Sequence, residues 1–138
     1  AFIIEYKQDI VVCLGDTGPD SVENADMLKS VWQFIKPKVE EGRLKALIIE
    51  SSFSNDTPDD KLFGHLTPHY VNQELMVLAS LVDDPKLLKG LPVIISHIKP
   101  SLKQGQWAND IISQQLDAGN KLEVDFIIPK QGERWHFK

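Results

Sequence analysis

Cysteine is nearly missing: Cys13 stands alone among 138 residues. No disulfide can form within the chain, and the redox compartment stays open. No apolar run approaches the roughly 20 residues of a membrane-spanning helix, and no basic stretch leads into a hydrophobic one. Positive charge is scarce as well, with 15 Lys and Arg against 20 Asp and Glu and a net charge of -5. That balance excludes the broad cationic surface of a non-specific nucleic-acid binder. There is no internal repeat, low-complexity segment or linker. An initiating methionine is lacking too, since "AFIIEY" opens inside a strand-like run. The expectation is one α/β unit over residues 1–138, the C-terminal part of a longer protein.

What is present alternates between two periodicities. With 42% hydrophobic residues the chain can bury a core. Phe2–Tyr6 and Ile10–Leu14 read as strands, and Leu44–Ser51 and Leu91–His97 as strands covered on both faces. A helix starts at Asp20 or Ser21, with Glu23 completing a capping box to Asp20. Its apolar face is Leu28, Val31, Trp32, Ile35 and Val39, and Pro37 should kink or end it. Thr67 caps a second helix, with Pro68 at its first position and Val71, Leu75, Leu78, Ala79 and Val82 buried. Ser101 and Gln104 suit a capping box for a third, running through Trp107, Ile111 and Leu116 to Gly119. "KLEVDFIIP" and "RWHF" then close the chain as a hairpin over "PKQGE".

Three central strands end in groups that can do chemistry. One run leads to Asp16, held between glycines in "LGDTGPD"; another ends at Glu50, a third at His97. Ligands of α/β sheets bind outside the carboxyl ends of strands, where such groups form metal or acid–base sites. The plain alternative is a turn at Asp16 and acids that merely terminate strands. His65, in the loop "LFGHLTP", is either a fourth member or a half-buried loop histidine. His69 belongs to the helix start, and His136 reads as structural.

"GDTGPD", "IIESSF", "LFGHLTPHYVNQELMVLASL" and "VIISHIKPS", in this order, resemble a class II cyclic nucleotide phosphodiesterase. The resemblance runs from Ile10 to about Ile112 and is to the C-terminal half of such an enzyme. It implies half of a metallo-β-lactamase-type αββα sandwich, a mixed sheet with helices packed on it. By the same resemblance, Asp16 bridges two metal ions and His97 is a ligand of one. Glu50 and His65 resemble the pair that tRNA-processing endonucleases of this fold carry in "EAT" and "GHST". There the histidine stabilises the phosphate or protonates the leaving oxygen, held by its acidic partner. Here Ser51 and Ser52 stand in place of Ala-Thr. The helix start after His65 also turns backbone N–H groups toward an anion.

The fold's ligand signature, His-x-His-x-Asp-His, occurs nowhere in the chain. Two ligands fall short of the roughly three that a catalytic zinc takes from protein. The expectation is therefore one wall of an active site for two divalent ions, with zinc anticipated and the other wall in a missing N-terminal half. The expected reaction is hydrolysis of cyclic AMP or cyclic GMP to the 5'-nucleotide, by the parent protein and not by the isolated chain. A nuclease of the same fold and a non-catalytic α/β binding module are the alternatives. Neither nucleic acid nor membrane is expected as a partner. A homodimer could cover the sheet face that the missing half leaves bare, and a bacterial parent could be periplasmic, any other cytoplasmic.

Overall fold

The apolar runs become the middle of one sheet. The computed structural model describes residues 1–100, 105 and 107–137. Strands β1 (Phe2–Tyr6) and β2 (Asp9–Cys13) pair antiparallel. Strands β3 (Leu44–Glu50), β4 (Pro92–Ser96) and β5 (Asp125–Ile127) follow in order, each parallel to the one before. Three helices make the parallel crossovers: α2 (Met27–Glu40), α3 (Pro68–Leu81) and α4 (Ala108–Gly119). A single turn, α1 (Asp20–Glu23), precedes α2. The mixed sheet with packed helices is as expected. Among the described residues, no helix is long and apolar enough to cross a membrane.

Alternation along the strands sorts the two sheet faces. Val12, Leu47, Ile49, Val93 and Ile95 join Trp32, Ile35, Leu75, Leu78 and Leu116 of the helices in one buried cluster. On the opposite face Val11 and Ile48 are only half buried. Strand β1 extends that face: Phe2 and Ile4 pair with Cys13 and Val11, yet are 74% and 61% exposed.

Two local expectations give way in the first helical stretch. The helix expected from Asp20 is broken at Asn24, which is left-handed (φ 51°). Asp20 then caps α2 instead: its carboxylate accepts the N–H groups of Met27, Leu28 and Lys29 at 3.0, 3.1 and 2.9 Å. Pro37 does not end α2, which runs on to Glu40. Ile35 and Val39 are buried on either side of it, and Pro37 O accepts from Glu41 N at 3.0 Å to close the last turn.

The capping box of Ser101 and Gln104 lies outside the described residues. Helix α4 is described from Ala108, so Trp107 stands at its cap, 80% exposed, and Ile112 and Leu116 form the buried pair. The terminal hairpin does not form, and residues 134–137 are in no strand. Strand β5 is short and uses the β4 edge, and Pro129, just beyond it, has no N–H to offer a ladder. His136 and Phe137 line a groove with Leu44, Leu91 and Pro92, at the amino ends of β3 and β4. His136 is therefore at the opposite end of the sheet from the site below.

Candidate active site

Parallel pairing places the carboxyl ends of β2, β3 and β4 on one rim, where Glu50 lies opposite Ser96. Asp16 follows β2, Glu50 ends β3 and His97 follows β4. The loop carrying His65 returns to the same rim. One ligand atom from each of these four residues lies within 4.8 Å of all the others. All four residues singled out in the sequence are together.

Backbone bonds lace the three loops to one another. Ser51 N donates to Ser96 O at 3.1 Å, Ser52 N to Leu66 O at 2.9 Å, and Lys99 N to Ser52 O at 3.1 Å. The His65 loop is anchored on both sides by Leu62 and Leu66, each fully buried. Its sharp turn uses Phe63 and Gly64 in left-handed conformations (φ 51° and 76°), the second of which costs glycine nothing. His97 is left-handed as well (φ 57°), a conformation that is uncommon for a residue with a side chain and tends to persist at functional sites.

The four side chains divide into two pairs. Glu50 is buried, and its acceptors are filled from within the protein. Thr17 N donates to Oε1 at 2.7 Å, and the Ser52 hydroxyl and Leu66 N donate to Oε2 at 2.5 and 3.4 Å. His65 Nδ1 lies 2.9 Å from Oε1. A carboxylate has about four lone-pair positions, and here four partners use them. Asp16 and His97 form the outer pair, with Oδ1 and Nδ1 3.1 Å apart and side chains 69% and 43% exposed. The two imidazoles stand side by side, with ring centres 5.1 Å apart.

Ser52 joins the pairs, and sequence reasoning passed over it. Besides Glu50, its hydroxyl oxygen lies 3.2 Å from His97 Nδ1, 3.0 Å from His97 O and 3.4 Å from His65 Nδ1. The available signal was the hydroxyl two residues past Glu50, in the place of the endonucleases' threonine. Ser51 beside it is the contrast: its hydroxyl is buried with no hydrogen-bond partner among the described residues. The helix start is less open to an anion than expected, because His69 N already donates to Asn55 Oδ1 at 2.7 Å.

This geometry sits in a chain whose residues 1–132 match the family described as class II cAMP phosphodiesterases. The chain belongs to that family. It is 46% identical over 137 residues to a 3',5'-cyclic-nucleotide phosphodiesterase of Aliivibrio fischeri, covering 99% of this chain and 41% of the relative. Against a probable 3',5'-cyclic-nucleotide phosphodiesterase of Yersinia pestis the identity is 43% over 136 residues, covering 99% and 40%. The crystal structure of unliganded yeast PDE1 superposes with a TM-score of 0.77 at 26% identity, over 90% of this chain and 35% of that one. The class II chain thus spans about two-fifths of the curated relatives it matches.

Proposed function

We propose that the complete protein hydrolyses 3',5'-cyclic nucleotides to 5'-nucleotides with two divalent metal ions, and that this chain is one wall of the active site. The observation that carries the reading is the gathering of Asp16, Glu50, His65 and His97 within 4.8 Å, in a chain of this family.

The donors suit a divalent ion of the zinc type, which takes imidazole nitrogen and carboxylate oxygen. Asp16 and His97 fit as ligands because both are exposed, in the segments that leave β2 and β4. Glu50 fits less well, since its oxygens are already used. The further ligands belong to the rest of the protein, in a His-x-His-x-Asp-His segment that precedes this chain. The relatives, more than twice as long, leave room for it. That part also supplies the cover for Phe2, Ile4 and the sheet face they extend, since large apolar patches seldom stay bare. In the isolated chain, a second copy takes that place.

Ions held by Asp16, His97 and the remaining ligands would supply Lewis acidity, activating water and offsetting phosphate charge. The chain's own residues do the rest. Asp16 and His97 hold their ion at the rim. Glu50 holds His65 by Nδ1, which leaves Nε2 to meet the phosphate or hand a proton to the departing ribose oxygen. A positioned acid of this kind contributes roughly 10²–10⁴-fold.

The test is turnover of cyclic AMP and cyclic GMP by the complete protein before and after chelation. Hydrolysis to the 5'-nucleotide, lost to chelator and restored by zinc, is expected. A metal-loaded protein that leaves both cyclic nucleotides intact contradicts the reading.

A further inference from the structure

A cavity of about 300 Å³ opens directly beside the site, lined in part by Ser52, Phe53, Thr57, Lys99, Ile111 and Ile112. Its size is at the lower bound for small-molecule sites, and its wall combines an aromatic ring and aliphatic side chains with a few polar groups. Phe53 connects it to the catalytic residues, its ring meeting His65 edge-on at 5.8 Å between centres. Lys99 Nζ lies over the same ring, 4.6 Å from its centre. The near wall is fixed, because Phe53 follows Ser52 and Lys99 N is bonded to Ser52 O. Ile112, on α4, is buried and closes the apolar side.

We infer that this cavity takes the purine base of the substrate, with Phe53 as the stacking surface. The inference rests on the phosphodiesterase reading above. Every base has a π-face, and stacking on an aromatic side chain is the usual way to hold one. The ammonium of Lys99 is no obstacle: a cation–π contact at an accessible site is weaker than base stacking, and a lysine stem moves freely. Swung aside, Lys99 uncovers that face of the Phe53 ring for a base. Among the described residues a second hollow on this rim, about 510 Å³, is larger but wrong in kind. It has no aromatic ring, and it carries three carboxylates, Asp16, Asp20 and Glu23, against the single Asp56 of the smaller cavity. It offers a base nothing to stack on.

The experiment compares two substrates in the complete, metal-loaded protein: cyclic AMP, and methyl riboside 3',5'-cyclic phosphate, which keeps the sugar and the phosphate ring but has no base. Phe53→Leu removes the stacking surface. Ile111→Trp fills the cavity from α4, away from His65. Each is expected to lower kcat/KM for cyclic AMP about tenfold relative to the base-less diester, with Phe53→Trp restoring the ratio. Equal losses on both substrates, or no change in the ratio, overturn the base pocket and leave the phosphodiesterase reading standing. A wild-type protein that hydrolyses neither cyclic phosphate overturns both.

Discussion

Glu50 Oε1 lies 2.9 Å from Nδ1 of His65, a buried carboxylate holding a loop histidine fifteen residues further along the chain. Thr17 N–H and the Ser52 hydroxyl donate to the same carboxylate, so the histidine is oriented by a group that is itself immobilised. In Glu50→Gln one oxygen becomes an NH₂ facing donors that lose their acceptor. Such partners of a functional group typically cost 10–100-fold when lost. The expected outcome is a kcat lower by about that factor at near-normal metal content, read by steady-state kinetics and metal analysis on one preparation.

Neighbouring serines have opposite expectations. Ser52→Ala removes one of the four partners of Glu50 and uncouples the two histidines, and should lower kcat, while Ser52→Thr keeps the hydroxyl and should restore it. Ser51→Ala removes a buried hydroxyl that has no hydrogen-bond partner among the described residues. An unsatisfied group costs free energy to bury, so Ser51→Ala is expected to be neutral or slightly stabilising, with activity unchanged. Kinetics and thermal melts on the three variants check both halves.

Glu74 links α3 to α2 and is 3% exposed. Trp32 Nε1 donates to its Oε2 at 3.1 Å. Burial pushes the Glu74 carboxyl above its usual range, and the negative Asp20 nearby acts the same way; the Trp32 bond works against them. A raised folded-state pKa favours the protonated form in the folded protein. Its stabilising contribution is complete below the ordinary glutamate pKa and is lost as pH rises through the raised value. Glu74→Gln keeps an acceptor for Trp32 and cannot ionise. Its Tm is expected to lack the decline that Glu74 imposes on the wild type over that window, so that the variant is the more stable at neutral pH.

Asp20 accepts three N–H groups from the first turn of α2. Asp20→Ala strands all three. Loss of a helix cap typically costs about 0.5–2 kcal/mol, and a loss toward the upper end is expected. A lower urea midpoint at unchanged slope is the measurement.

Asp16, Glu50 and His97 were legible because each follows a short apolar run that can only be a buried strand. Parallel strands deliver their ends to one rim. His65 was visible in its loop as an open choice between a fourth member and a structural histidine, and only the resemblance gave it a role, since a histidine between Gly64 and Leu66 carries no periodic signal. Ser52 was passed over although it stands where the endonucleases carry threonine: a serine after a strand looks like any loop residue until the fold returns two histidines to it. The capping role of Asp20 was misread for a related reason. A capping box looks three residues ahead, whereas the donors that Asp20 meets are seven to nine residues on. Likewise "RWHF" has strand composition, but β5 is only three residues long and Pro129, just beyond it, has no N–H to carry a ladder into a hairpin.

The most direct test of the account is zinc content and kcat measured together on Asp16→Ala, His97→Ala and His65→Ala in the complete protein. Asp16 and His97 form the exposed outer pair, and His65 is held on a loop by Glu50. The first two variants are expected to lose metal, while His65→Ala retains it and loses at least ~10²-fold in kcat. A His65→Ala protein with near-normal kcat, or one as empty of metal as Asp16→Ala, contradicts this expectation.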